Sequence, residues 1–150
     1  LSNSENLQNP GEVAVSLSLI SQDYIRKKNW HDAIQTLEQA LSIFRRTGLR
    51  RSMAHALFLL SQAYEQINDL NQATILALTD LNIAEELGDP LIIAQLLDHI
   101  GQLWTKRGET DRAKSLWQRG LALMEQLENE RGKERFLNLL NTLPIHEFDH

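Results

Sequence analysis

The sequence predicts an all-α fold: a right-handed α-solenoid of three antiparallel helix pairs with a C-terminal capping helix. Three observations predict it. The chain repeats itself every forty residues, the apolar residues inside each copy fall at helical spacing, and turn or cap residues stand at the joints.

The repeat is the strongest signal, because a period of this length marks stacked supersecondary units. Ser21-Gln22-Asp23-Tyr24 returns as Ser61-Gln62-Ala63-Tyr64 and again as Gly101-Gln102-Leu103-Trp104. Nine residues after each aromatic stands an alanine: Ala33, Ala73 and Ala113. Leu17, Leu57 and Leu97 keep the same step, as do Ile20, Leu60 and Ile100.

Within the first copy, Leu17, Ile20, Ser21 and Tyr24 share one helical face. Ala33, Leu37, Ala40, Leu41 and Phe44 form a second. No stretch alternates as a strand would. The paired helices are therefore predicted at about 11–27 and 30–46, 50–67 and 70–87, 90–107 and 110–128. In Leu87-Gly88-Asp89-Pro90, Gly closes one helix in the left-handed conformation, Asp caps the next and Pro takes its first position. Gly48 and Gly108 mark other stops, and Asn68-Asp69 supplies a turn and a cap. Small residues at 21, 61 and 101 let two helices approach closely, and the aromatic three residues on fills the resulting seam. Phe136, Leu137 and Leu140 make one more apolar face before Pro144. Residues 131–142 read as a helix covering the end of the stack, or as the first helix of a fourth repeat.

The predicted organisation is a segment without regular structure at 1–10, a repeat domain over 11–142 and a tail at 143–150. The repeats lie at about 14–53, 54–93 and 94–133. A chain of 150 residues fits one domain. Its 42% apolar and 23% charged residues are ordinary for a globular protein. The longest apolar runs, such as Ala56-Leu57-Phe58-Leu59-Leu60, fall well short of the roughly 20 residues of a membrane span. No signal-peptide pattern opens the chain. Because Leu1-Ser2-Asn3-Ser4 lacks an initiator Met, it is read as a fragment or a processed product. The absence of cysteine removes disulfides and fits a cytoplasmic location. A net charge of −5 argues against general binding to nucleic acid or to anionic membranes.

The pattern resembles the tetratricopeptide repeat, with a Leu/Gly/Tyr signature in the first helix and Ala, aromatic, Ala in the second. The third copy matches best, through Ile100, Gly101, Trp104, Gly108, Ala113, Trp117 and Gly120. The first copy has Ile20, Ser21, Tyr24, Ala33, Leu37 and Ala40. The second departs most: Asp80 stands where a small residue is usual, and Ala77 where a bulky one is. Either that joint is looser or Asp80 finds a partner. The forty-residue period exceeds the family's commoner value of about 34. With Glu86-Leu87-Gly88-Asp89-Pro90 it resembles repeats of large bacterial signalling ATPases, maltose-regulator-type activators and scaffolds. The resemblance spans about residues 14–133.

The resemblance implies protein binding along a concave surface lined by the first helices. On that flank lie Val15, Ser18, Gln22 and Ile25; His55, Phe58, Gln62 and Glu65; and Gln95, Asp98, Gln102 and Thr105. Gln22, Gln62 and Gln102 form a column whose amides both donate and accept, as the backbone of an extended peptide requires. The plainer reading is a good helix former repeated at a wet position. Phe58 is an anchor candidate or a core residue. The partner-binding set is thus Gln22, Phe58, Gln62 and Gln102, with Ser18, His55, Glu65 and Asp98 beside them. The family's clamp for a C-terminal carboxylate maps onto Ser18, Gln22, Gln95 and His99, which offer no permanent positive charge, so that mode is not expected. A second candidate surface is basic. Arg45 and Arg46 suit a helix C-terminus, whereas Arg50 and Arg51 open a helix, where cations are disfavoured. Either these four bind an acidic partner or they are solvated surface.

Chemistry is not expected. His146-Glu147-Phe148-Asp149-His150 fits the His-Glu-x-x-His pattern of zinc proteases, but it ends the chain just past Pro144, with no third ligand downstream. It reads as a chance tail. The seven glycines form no phosphate-cradling loop, and there is no Cys nucleophile. Trp30, Trp104 and Trp117 read as core rather than as a cofactor box. No cofactor or metal is predicted. The expected function is a non-enzymatic adaptor for a protein or peptide partner. The alternatives are a self-associating module forming a homo-oligomer, and a sensory segment of a larger ATPase or transcription regulator.

Overall fold

The computed structural model describes residues 9–144, and seven α-helices run through them: α1 (Pro10–Arg26), α2 (Trp30–Thr47), α3 (Arg50–Gln66), α4 (Leu70–Leu87), α5 (Pro90–Lys106), α6 (Thr110–Gln126) and α7 (Glu130–Asn141). No strand occurs among the described residues. Observed and predicted ends agree within two residues. The His146–His150 tail lies outside the described residues, as does most of the segment 1–10; Asn9 and Pro10 are described, and they open α1.

The joints follow from residue chemistry. Asn9 Oδ1 accepts the Gly11 N–H at 2.8 Å, and Pro10 takes the first helical turn, where no donor is needed. Asp89 caps α5 in the same way, accepting from the Leu91 and Ile92 N–H groups at 3.1 and 3.4 Å, with Pro90 following. Asp69 Oδ1 accepts from Gln72 N at 3.1 Å, and Asn129 Oδ1 from Gly132 N at 2.9 Å. Gly48 and Gly88 end their helices at φ of 70° and 72°, where a Cβ would be strained.

The chain divides into two compact units, the first running to Ile83 and the second starting at Ala84, so that the break falls inside α4. In the first unit α2 packs on α1 and on α3. Its core contains Leu37, Leu41 and Phe44 of α2 with Leu57 and Leu60 of α3, all buried. Each such side chain contributes roughly 2 kcal/mol on burial. Ser61 Oγ donates to the Ala73 carbonyl at 2.7 Å, joining α3 to α4, while Ser21 Oγ turns back to its own helix at Ser18 O, 2.6 Å away. Both serines are fully buried, as close helix approach requires.

In the second unit α5 packs on α6, and α6 on α7. Size complementarity is explicit here. A Cβ on Gly101 would overlap the Trp117 indole, and one on Gly120 would overlap the Phe136 ring. The expectation that the small position accepts a neighbouring helix holds, but the side chain that fills it is Trp117 of the paired helix. Trp104, three residues on from Gly101, instead sits under two guanidinium groups, Arg107 and Arg112, at 4.8 and 4.7 Å from its ring centre. α7 begins forty residues after α5, as α5 does after α3 and α3 after α1. It therefore stands in the register of a first helix.

Candidate functional site

The first-helix flank of the first unit holds an open hollow of about 340 Å³ between α1 and α3. Val15, Leu19 and Gln22 line one side, Arg51 and His55 the other, and buried Phe44 lies beneath. Val15 and Leu19 are 47% and 60% exposed, a large apolar exposure for a helix with a packed opposite face. Gln22 Nε2 lies 3.5 Å from His55 Nε2, so the amide of the glutamine column reaches across to the next first helix. A second hollow shares Val15 and continues past Gly11 and Glu12 to Thr47 and Leu49. A ligand here would meet aliphatic surface flanked by groups that donate and accept hydrogen bonds.

The other expected residues divide. His55 is exposed, while Phe58, Gln62 and Glu65 are half-buried on α3. Phe58 therefore sits between its two readings, neither open anchor nor full core. Ser18 is largely buried but lines the same hollow, and its carbonyl accepts the Ser21 hydroxyl.

In the second unit Asp98 and Gln102 are already engaged. Arg135 of α7 donates to Asp98 through Nε at 2.8 Å to Oδ2 and Nη2 at 3.2 Å to Oδ1. Gln102 Nε2 donates to Asp98 Oδ1 at 2.5 Å, and Trp117 Nε1 to the Asp98 carbonyl at 3.2 Å. The Asp98 hydrogen bonds hold the Arg135 pKa above its ordinary value. Arg135 escaped the sequence reading, although the period contained the signal: it follows Gln102 by 33 residues, as His55 follows Gln22.

Of the four arginines, all exposed, Arg46 and Arg51 line different hollows: Arg46 one with Leu17 and Glu38, Arg51 the one with Val15 and Leu19. Trp104 and Trp117 are core, as expected, while Trp30 is half-exposed.

Two polar groups show what burial does here. Tyr64 donates its hydroxyl to Glu38 Oε1 at 2.7 Å, tying α3 to α2; burial, then this carboxylate, pushes its pKa up to about 12. Of the two readings of Asp80, a looser joint or a partner, the second is not met at Oδ1. Its side chain is 1% exposed, Oδ1 has no hydrogen-bond partner, and burial raises its pKa to about 7. Among the described residues no group of three or more His, Cys, Asp or Glu is placed to hold a metal ion, and no helix is long and apolar enough to cross a membrane.

No curated protein matches the chain. Solved structures resemble its fold. The apo form of RapI superimposes with a TM-score of 0.81 at 19% identity, over 93% of this chain and 51% of that one. A Rap protein complexed with Competence and Sporulation Factor gives 0.74 at 19%, over 91% and 38%. A signal transduction ATPase with numerous domains and a tetratricopeptide repeat sensor, from Pyrococcus horikoshii, gives 0.84 at 16%, over 93% and 22%. The chain thus spans about half or less of the length of these proteins. They share its all-helical solenoid fold. The family described as tetratricopeptide repeat matches residues 12–86. With three copies of the repeat in sequence and its helix pairs in space, the chain belongs to the tetratricopeptide repeat family.

Proposed function

We propose that this chain is a non-enzymatic interaction module whose first unit binds a peptide or helix of a partner protein along the α1–α3 flank. The observation that carries this reading is the exposure of Val15 and Leu19 at the rim of the hollow, next to the Gln22–His55 contact. Exposed aliphatic side chains beside paired donors and acceptors supply both contact area and register to an incoming backbone. The Rap protein complexed with Competence and Sporulation Factor, which has the same fold, supports a binding role for such helices.

Within this reading Leu19 and Val15 are the anchors, and Gln22 and His55 orient the ligand. Gln62 and Phe58 extend the surface along α3. Asp98 is engaged by Arg135 and Gln102 by Asp98, so neither is an anchor in this reading. Affinity capture from extracts of the source cell tests the proposal, with wild type beside a Val15→Ala/Leu19→Ala/Gln22→Ala/His55→Ala variant of unchanged helicity. A protein retained by wild type and lost by the variant is the expected result. Equal retention by both overturns it.

A further inference from the structure

A different part of the molecule, independent of the α1–α3 flank, carries a second conclusion. α7 is anchored by fewer buried residues than α5. Phe136 and Leu139 are its buried residues, whereas α5 buries eight. What holds it is specific. Phe136 fills the notch at Gly120, Arg135 forms the two-pronged bond to Asp98, and Gly132 lies against Met124.

The joint before it differs from its counterparts. At the passage from a second helix to the next first helix, Gly48 and Gly88 take up φ of 70° and 72°. The corresponding residue before α7 is Glu128, held at φ 55°. A left-handed glutamate is strained, and glutamate is a good helix former. The connection is only Leu127-Glu128-Asn129 between Gln126 and Glu130. In the right-handed conformation these residues would let α6 run on into α7 and relieve the strain. Short hinges under strain favour exchange of an element between copies. Gly120, Met124 and Asp98, which meet Phe136, Gly132 and Arg135, all lie on the far side of this hinge, so a second copy offers the same contacts.

We propose that α7 is exchangeable, and that the α5–α6 notch accepts α7 from a second copy of this chain. The product is a reciprocal dimer in which Asp98 binds Arg135 of the partner subunit and Gly120 receives Phe136 of the partner subunit. The interface is isologous, because each copy gives and receives the same helix.

Charge reversal tests this on the full chain. Asp98→Arg faces its own Arg135, and Arg135→Asp faces its own Asp98, so each single variant repels its own helix. In a reciprocal exchange between the two variants, both sites pair opposite charges. The two are refolded separately and together, then measured by light scattering and native mass spectrometry. The expected result is a 1:1 heterodimer in at least tenfold excess over the homodimers, with the Asp98→Arg/Arg135→Asp double variant returning to the wild-type state. A mixture that remains monomeric, with both variants folded by circular dichroism, overturns the proposal. Where a single variant fails to fold, wild type refolded at high concentration decides: a dimer whose fraction Glu128→Gly lowers at least fivefold supports exchange, and no dimer, or a dimer indifferent to that change, refutes it.

Discussion

Replacing Asp80 with alanine should stabilise the protein, and by an amount that grows with pH. Ala40 and Gly120 occupy the corresponding place in the neighbouring copies, so the backbone there accommodates a small residue. In the folded chain the buried carboxyl has a pKa of about 7 against an ordinary 3.8. Its folded pKa is raised, so folding takes up a proton. The stability of the wild type is greatest below pH 3.8, declines as pH rises toward 7, and is flat above it. Three pKa units correspond to about 4 kcal/mol across the full window. Between pH 5 and pH 8 the unfolded state is already ionised, and the difference reduces to roughly 2.5 kcal/mol. The lost side-chain volume leaves a small cavity, which subtracts about 1 kcal/mol at every pH. Urea unfolding followed by circular dichroism at pH 5 and pH 8 gives the two stabilities for each protein, and all other titrations cancel in the comparison. The variant should gain about 2.5 kcal/mol on the wild type between the two conditions. A variant-to-wild-type difference that does not change with pH would refute the reasoning that Asp80 is held without a partner.

Other expectations are as direct. Gly101→Ala should destabilise by about 1–3 kcal/mol, because the new methyl displaces the Trp117 indole and with it the bond to the Asp98 carbonyl; urea unfolding measures this. Asp89→Ala should cost about 1 kcal/mol by removing the acceptor for two backbone donors at the start of α5, and Asp89→Asn should restore most of it. Ultraviolet titration should find one tyrosine ionising near pH 12, and Glu38→Gln should lower that value by removing the carboxylate that receives its proton donor.

Much of the fold was legible because a repeat states its pattern three times. The helix pairs followed from the period, and the joints followed from residues with one strong conformational preference, such as Gly88, Asp89 and Pro90. Size relations between helices were less accessible. That Gly101 admits Trp117 rather than Trp104 depends on which way each ring leaves its helix, and spacing along a chain does not contain that direction. Asp80 was recognisable as an exception, but its lack of a partner is a property of the surrounding packing. The candidate surface was legible in part. Val15, Gln22 and His55 came from the flank of the first helices, while Leu19 was missed because it stands beside repeat-defining apolar positions and carries the same chemistry. Asp98 and Gln102 were expected on the open flank, but Arg135 engages Asp98, and Gln102 donates to the same carboxylate. The matched 33-residue spacings of Gln22 to His55 and Gln102 to Arg135 were present in the sequence, yet a spacing acquires meaning only once adjacent first helices are known to meet there.

The α1–α3 flank as a partner site is tested most directly by photo-crosslinking. A photoreactive amino acid is placed at Leu19, and in a second protein at Gln39, an exposed residue of α2 that lines a different hollow. After irradiation in extracts of the source cell, a discrete protein adduct should form from position 19 and be absent from position 39. An adduct from position 39 with none from position 19 would contradict the account and move the partner surface to the outer face of α2.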